Sequence, residues 1–163
     1  MAALPAVTAY TDGACPGNPG PGGFGVVLIS SGPPRERSGG FRRTTNNRME
    51  LFAAIAALEA LQERSVVTLH SDAKYLIDAM EKGWAKRWEA NDWKRSGGGR
   101  VLNPDLWETL LQLCRQHQVR FAWVQGHIGH AENERCHQLA SRAAHQPDLP
   151  IDEGYEGTAE GNR

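Results

Sequence analysis

The stretch Val7-Thr8-Ala9-Tyr10-Thr11-Asp12 leads directly into a Gly- and Pro-rich segment, residues 13–23. Its alternating pattern predicts a β-strand that ends on a carboxylate and enters a hairpin. Two more acids have matching settings, because Glu50 lies near the start of a predicted helix and Asp72 follows a predicted strand. The sequence therefore predicts three acids displayed at the ends of secondary-structure elements.

Three carboxylates displayed in this way need cations between them. Each pair repels by about 4 kcal/mol at 4 Å in an effective dielectric of about 20. Asp12, Glu50 and Asp72 offer the hard oxygen ligands that Mg²⁺ and Mn²⁺ prefer. Acids shared between two such ions, about 3.5–4 Å apart, are the usual apparatus for phosphodiester hydrolysis.

The rest of the chain predicts an α/β domain. Strands are predicted over 24–30, 37–45, 65–70 and 119–124, and helices over 49–64, 132–145 and from near Ala73. The strand–helix–strand order from Val7 to Val66 indicates a crossover, hence a mixed sheet with parallel members. Asp12 and Asp72 should then lie together at one end of neighbouring strands.

The composition is that of one globular domain. Of 163 residues, 40% are hydrophobic and 23% charged, and we expect a single domain over residues 1–150. The sequence turns polar and Gly-rich from Gln146, which predicts a loosely attached tail that includes residues 151–163. The net charge of −1 argues against a protein that coats nucleic acid indiscriminately.

The cysteines and the N-terminus indicate a cytoplasmic protein without a membrane partner. Cys15, Cys114 and Cys136 are odd in number and lack CxxC spacing, which favours reduced thiols. Residues 1–6 lack the basic start of a secretory signal, and no apolar run approaches the about 18 residues of a membrane span. We expect a monomer.

Four strings place the chain in a family. Tyr-Thr-Asp-Gly-Ala-Cys (10–15), Thr-Thr-Asn-Asn-Arg-Met-Glu-Leu (44–51), Ser-Asp-Ala-Lys-Tyr (71–75) and Gly-His-Ile-Gly-His-Ala-Glu-Asn-Glu-Arg-Cys (126–136) resemble bacterial-type ribonuclease HI. They occur in the family's order, and the resemblance covers about residues 7–155. It implies a ribonuclease H-like fold, with a central mixed five-stranded sheet flanked by helices.

The resemblance also implies an activity. The family cuts the RNA strand of RNA–DNA hybrids, leaving 5′-phosphate and 3′-hydroxyl ends, with four acids and two Mg²⁺ ions for which Mn²⁺ can substitute. Asp12 would bridge the ions, with Glu50 on the ion nearer the leaving group and Asp72 on the ion nearer the attacking water. The Gly-His-x-Gly-His context carries the catalytic histidine, a proton shuttle, onto His127. His130 is expected to be structural.

The chain departs from the family where the fourth acid should follow Glu-Arg-Cys, because it has His137 there. A neutral imidazole can ligate Mn²⁺ or hydrogen-bond a metal-bound water, but it is a poor Mg²⁺ ligand. We expect His137 to belong to the catalytic and metal site and catalysis to survive. The alternative is a catalytically weakened hybrid-binding module.

Two groups of residues are predicted to bind the hybrid. The first would contact the wide minor groove and its 2′-hydroxyls: Cys15, Asn18, Asn46 and Asn47. Helix capping is an alternative role for Asn46 and Asn47. The second would contact phosphates: Lys86, Arg87, Lys94 and Arg95. These cations alternate with Trp84, Trp88 and Trp93, which could instead pack on the core while the cations face solvent.

Other interpretations of the motifs are weaker. Residues 20–25 match the spacing of a dinucleotide-binding fingerprint but precede a strand instead of a helix, so the glycines should serve a hairpin turn. A zinc site at His127, His130, Cys136 and His137 lacks supporting spacing.

Arg48 and Glu134 are expected to form ion pairs or brace loops. In a transposase-type relative the metal-binding Glu would come late in the chain, and the short N-terminus does not support a domain of a reverse transcriptase.

Overall fold

The computed structural model describes residues 3–125 and 130–158, which form a five-stranded sheet with helices on both faces. The strands are β1 (Ala6–Ala14), β2 (Gly20–Ile29), β3 (Arg35–Thr44), β4 (Val66–Ser71) and β5 (Gln118–Trp123). Their order in the sheet is β3-β2-β1-β4-β5. The first three strands are antiparallel, whereas β4 runs parallel to both β1 and β5. The expected mixed five-stranded sheet is confirmed.

Six helices accompany the sheet in the described residues. They are α1 (Asn46–Glu59), α2 (Lys74–Glu81), α3 (Trp84–Ala90), α4 (Pro104–Gln116), α5 (Ala131–Ala144) and α6 (Glu153–Glu156). The helix α1 packs on β1 and β2, with α4 against it, and α5 packs on the opposite face of the same strands. No helix in the described residues is long and apolar enough to cross a membrane.

The helix α1 begins three residues before the predicted start. The Thr45 side chain caps it, accepting a hydrogen bond from the Arg48 backbone N–H at 3.2 Å. This cap satisfies a backbone donor that the helix start would otherwise leave unpaired. The helix ends at Glu59 instead of Arg64, because the following residues must reach β4, whose Val66 N–H bonds the Pro5 carbonyl.

Glycines of β2 let α5 lie directly on the sheet. A Cβ on Gly23 would collide with the carbonyl oxygen of Ala140, and one on Gly25 with that of Cys136. The expectation that these glycines serve the hairpin turn is therefore wrong. The strands extend further than predicted, and the turn is confined to residues 15–19.

The helix α4 was not predicted, although its sequence carries the signals. Pro104 occupies the first turn, where its missing N–H costs nothing. Leu106, Trp107, Leu110 and Leu111 follow at helical spacing and are buried. Burial of one such leucine contributes about 1.5–3 kcal/mol, so this helix is a substantial part of the core.

The chain beyond Gln146 is attached more firmly than its composition predicts. Asp152 and Tyr155 are buried, and the Arg42 N–H donates to the Pro150 carbonyl oxygen at 2.9 Å. Arg42 also forms an ion pair with Glu156. The expectation of a loosely attached tail is wrong for residues up to Thr158, because ion pairs and one buried tyrosine hold them.

Candidate active site

Three carboxylates converge at one end of the sheet. One ligand oxygen from each of Asp12, Glu50 and Asp72 lies within 4.8 Å of the other two. Asp12 and Glu50 are buried and Asp72 is half-buried. Residues 3–125 and 130–158 contain no other group of three or more side chains so placed for a metal ion.

Each acid is positioned by a different element. Asp12 lies near the end of β1, and its Oδ1 accepts a hydrogen bond from the Gly13 N–H at 3.0 Å. Asp72 follows the last residue of the parallel strand β4. Glu50 comes from α1, which approaches so closely that a Cβ on Gly13 would lie 2.5 Å from the Glu50 backbone nitrogen. Glycine at position 13 is therefore required for Asp12 and Glu50 to meet.

Burial and neighbouring charge raise the pKa values of Asp12 and Glu50. Burial, followed by the charge of Asp72, raises the pKa of Asp12 from 3.8 to about 6. Burial, followed by the charges of Asp12 and Asp72, raises the pKa of Glu50 well above its usual range. Desolvation and like charge both favour the neutral acid, so the metal-free cluster resists full ionisation. A bound cation would reverse this preference.

The cluster fits a divalent cation. Oε2 of Glu50 is buried and lacks a hydrogen-bond partner among the described residues. A buried polar atom of this kind is costly unless a ligand satisfies it. Because the other donors nearby are also carboxylate oxygens, the set matches the preference of Mg²⁺ and Mn²⁺ for hard oxygen ligands.

His137 lies beside this cluster. It belongs to α5, and its Nδ1 is 3.1 Å from Oδ2 of Asp12. Half of the His137 side chain is exposed, whereas the Asp12 side chain is nearly inaccessible. The hydrogen bond and charge of His137 act against burial by lowering the pKa of Asp12. The position that differs from the family pattern therefore belongs to the same constellation as the acids.

The sequence comparisons agree with this geometry. The family model described as RNase H matches residues 5–145. A Ribonuclease H of Trichodesmium erythraeum is 57% identical over 150 residues, which cover 92% of this chain and 96% of the relative. A Ribonuclease H of Desulforamulus reducens is 60% identical over 149 residues, covering 91% and 94%. The chain belongs to the ribonuclease H family.

Solved structures of the family share the fold. LC9-RNase H1, described as a type 1 RNase H with the type 2 active-site motif, is 35% identical and has a TM-score of 0.77. The match covers 88% of this chain and 74% of that one. LC11-RNase H1, solved in complex with an RNA/DNA hybrid, is 26% identical with a TM-score of 0.63, covering 85% and 96%.

The expected catalytic histidine, His127, lies outside the described residues. Its neighbour His130 is exposed and immediately precedes α5. The Cys136 thiol is buried and donates to the Tyr10 carbonyl oxygen at 3.1 Å. That contact uses the thiol within the fold and gives no support to a zinc site.

The residues expected at the minor groove surround the start of α1. The Cys15 thiol is buried and donates to the Thr44 carbonyl oxygen at 3.4 Å, so only the Cys15 backbone can face a ligand. Oδ1 of Asn18 accepts a hydrogen bond from the Asn46 N–H at 3.0 Å, which joins the β1–β2 turn to the helix. Asn47 is exposed beside them. For Asn18 the structure thus shows a bracing contact.

The segment that carries the predicted phosphate-binding cations, residues 83–102, is here called the basic interval; its tryptophans are partly buried and its cations face solvent. Trp84, Trp88 and Trp93 pack against the core. The cations on α3 and the following hairpin are exposed: Lys86, Arg87, Lys94 and Arg95. Trp84, Trp88, Arg87 and Lys94 line a surface cavity of about 500 Å³. Aromatic packing thus builds a platform from which the cations face solvent.

Sequence reasoning assigned Arg48 an ion-pair role, which is confirmed, but missed both of its acidic partners. Arg48 is buried, and its guanidinium binds Asp105 and Asp152 at 2.8 and 2.7 Å. Burial of Asp105 would raise its pKa, but the hydrogen bonds and charge of Arg48 outweigh this and lower it. The sequence did carry one signal of a buried ion pair, because Arg48 lies in a helix that is otherwise rich in Ala, Leu and Ile.

Proposed function

We propose that this chain hydrolyses the RNA strand of RNA–DNA hybrids to 5′-phosphate and 3′-hydroxyl ends, with Asp12, Glu50 and Asp72 holding two Mg²⁺ ions. The observation that carries the proposal is the three-acid cluster, in which a buried Glu50 oxygen has no hydrogen-bond partner within residues 3–125 and 130–158. When bound, two divalent ions activate a water and balance charge on the entering and leaving oxygens of an in-line displacement.

The chain's own groups supply the rest. Gly13 N–H orients the Asp12 carboxylate. Because the pKa values of Asp12 and Glu50 are raised, protons compete with a cation for this site, and metal binding would release them. His127, in a Gly-flanked segment next to α5, would move a proton to or from the reacting oxygens. His137 would orient Asp12 through the 3.1 Å contact and approach the metal site from its exposed side.

Hybrid recognition would come from two surfaces. The backbone near Cys15, with Asn18, Asn46 and Asn47, lies beside the acids and would contact the minor groove and its 2′-hydroxyls. The exposed Lys86, Arg87, Lys94 and Arg95 would contact phosphates. That LC11-RNase H1 was solved with an RNA/DNA hybrid supports this ligand class.

The alternative of a catalytically weakened binding module is not favoured. Three of the four expected acids lie together, and relatives 57–60% identical over nearly the whole chain are named Ribonuclease H. The His137 replacement removes one negative charge without dispersing the cluster. It should change the metal requirement more than the reaction.

We also propose a cytoplasmic monomer. Cys15, Cys114 and Cys136 are free thiols, as a reducing compartment favours. Light scattering after size exclusion should give one species near 17.9 kDa. A species of twice that mass at micromolar concentration would contradict the monomer.

A substrate panel tests the activity. Labelled RNA–DNA hybrid, duplex DNA, duplex RNA and single strands are incubated with the protein under Mg²⁺ and Mn²⁺ separately. Cleavage of the RNA strand of the hybrid alone, abolished by chelator, is expected. An uncut hybrid that is still bound would instead support the binding module, and equal cleavage of duplex DNA or single strands would contradict the assignment.

A further inference from the structure

The segment 146–158, here called the C-terminal strap, lies beyond residues 5–145 that the family model matches. It nevertheless reaches the helix that carries Glu50. Its Asp152 side chain is 1% exposed and directed at Arg48, whose side chain is 2% exposed. A buried charge pair of this kind persists only where geometry and hydrogen bonds are nearly complete.

Asp152 joins three elements. Its Oδ2 receives hydrogen bonds from Nε of Arg48 and Oγ1 of Thr44, both at 2.7 Å. Its Oδ1 receives one from Nη2 of Arg48 at 3.0 Å and another from the Tyr155 N–H at 3.3 Å. One carboxylate thus fixes the end of β3, the start of α1 and the start of α6 relative to one another.

The other side of the Arg48 guanidinium is equally constrained. Nη1 donates to Oδ1 of both Asn103 and Asp105, at 3.1 and 3.0 Å, and Nη2 donates to Oδ2 of Asp105 at 2.8 Å. A Cβ on Gly154 would collide with the Asp105 carboxylate. The strap and the start of α4 therefore close on Arg48 from two directions.

Arg48 is two residues from Glu50, and β1 packs on the backbone between them. A Cβ on Gly13 would lie 2.6 Å from the Met49 carbonyl carbon and 2.5 Å from the Glu50 nitrogen. Since Asp12 adjoins Gly13, any shift of the start of α1 changes the separation of the two carboxylates. The Asp152–Arg48 contact joins the strap to that start.

We propose that the C-terminal strap is a positioning element of the metal site. Asp152, acting through Arg48, holds the first turn of α1 so that Glu50 meets Asp12 and Asp72 at metal-binding distance. The inference rests on the proposed role of Glu50 as a metal ligand. Asp152 touches no reacting atom and is a positioning residue.

The test compares two variants of the strap. Asp152→Asn removes the charge that holds Arg48. Glu156→Gln removes the partly exposed ion pair of the strap with Arg42, which does not involve α1. Mg²⁺ binding to the hybrid-free full chain is measured by calorimetry, amide exchange is followed over residues 46–50, and Mg²⁺ is titrated in hybrid cleavage. All measurements are made well below each melting temperature.

Asp152→Asn should raise the half-saturating Mg²⁺ concentration about tenfold. A displacement of 1 Å at a reacting site can lower the rate about 100-fold, and a smaller displacement of Glu50 is expected here. Exchange over residues 46–50 should accelerate, while hybrid affinity in chelator changes by less than about twofold. Glu156→Gln should match the wild type in all three. A folded Asp152→Asn protein with wild-type Mg²⁺ binding and exchange would overturn the proposal.

A second variant covers the case in which Asp152→Asn does not fold. Asp105→Asn weakens the half-exposed partner of Arg48 and leaves Asp152 in place. Its half-saturating Mg²⁺ concentration should rise by about threefold, less than for Asp152→Asn, because Arg48 keeps one of its two acidic partners. An unchanged value would overturn the inference. If the wild type binds Mg²⁺ but does not cleave hybrid, the proposed function fails, and binding and exchange still decide the role of the strap.

Discussion

Nδ1 of His137 lies 3.1 Å from Oδ2 of Asp12, so the residue that replaces the family's fourth acid contacts a buried acid of the cluster. The contact joins α5 to β1 across the edge of the cluster. Imidazole is a softer ligand than carboxylate and carries no negative charge, so the cluster would offer cations three carboxylates instead of four. The replacement should therefore be visible in the metal dependence.

His137→Asp should lower the Mg²⁺ concentration needed for half-maximal cleavage and narrow the ratio of Mn²⁺ to Mg²⁺ activity. The same change should lower the melting temperature in chelator modestly, because a fourth carboxylate joins three that already repel one another. His145→Asp, at the exposed histidine that follows the last residue of the same helix, is the control. Identical metal curves for His137→Asp and wild type would show that His137 is functionally silent.

The raised pKa of Asp12 predicts a pH-dependent loss of metal-free stability. The folded-state pKa, about 6, exceeds the ordinary 3.8, so the folded state binds more protons between these values. The contribution of Asp12 to the free energy of unfolding is therefore complete below about pH 4. It is lost as the pH rises through 6, and the loss amounts to at most about 3 kcal/mol. Glu50, whose pKa is also raised, acts in the same direction.

Asp12→Asn isolates that contribution. In chelator the variant should be more stable than the wild type above pH 6, and the difference should shrink towards pH 4. Denaturant titrations of both proteins at pH 4, 5, 6 and 7.5 give the difference directly. A pH-independent difference would show that Asp12 ionises normally in the fold.

Neutralising the exposed cations of the basic interval should weaken hybrid binding and flatten its salt dependence. The variant replaces Lys86, Arg87, Lys94 and Arg95 with Gln, and each lost phosphate contact lowers the slope of log K against log salt by up to about 0.9. Replacing Arg37, Arg64, Arg120 and Arg142, which are exposed outside this interval, also removes four positive charges and controls for net charge. An unchanged slope would show that these cations only face solvent.

His127→Ala should lower turnover by about 100-fold, the lower range for general acid–base catalysis, and should hardly change hybrid affinity. His130→Ala serves as the neighbouring control and should retain most activity. Rates under saturating hybrid and dissociation constants in chelator separate the two effects. A loss confined to binding would make His127 a substrate-contact residue instead.

Much of the site was predictable because its residues carry local signals. Asp12 and Asp72 end strands, and a capping threonine precedes the helix of Glu50, so each acid can be placed on its element from neighbouring residues. The crossover between β1 and β4 then brings two of them together, as parallel strands require. The position of His137 against Asp12 followed from the family pattern.

The features that sequence reasoning missed depend on contacts between distant residues. Arg48 and Asp152 are 104 positions apart, and nothing local to Asp152 in a polar, Gly-rich segment indicates burial. Gly23 and Gly25 were assigned to a turn because only the tertiary packing of α5 explains them. The omission of α4 is different, since Pro104 and the leucine spacing were visible in the sequence.

The most direct test of the metal-dependent mechanism is cleavage of a 5′-labelled RNA–DNA hybrid in Mg²⁺ by the wild type, Asp12→Asn and Asp78→Asn. Asp78, on α2, pairs with Lys74 and Lys82 outside the acid cluster and is the matched control. We expect that Asp12→Asn stays folded, binds hybrid and loses essentially all cleavage, while Asp78→Asn cuts like the wild type. Near-wild-type turnover by Asp12→Asn would contradict the mechanism.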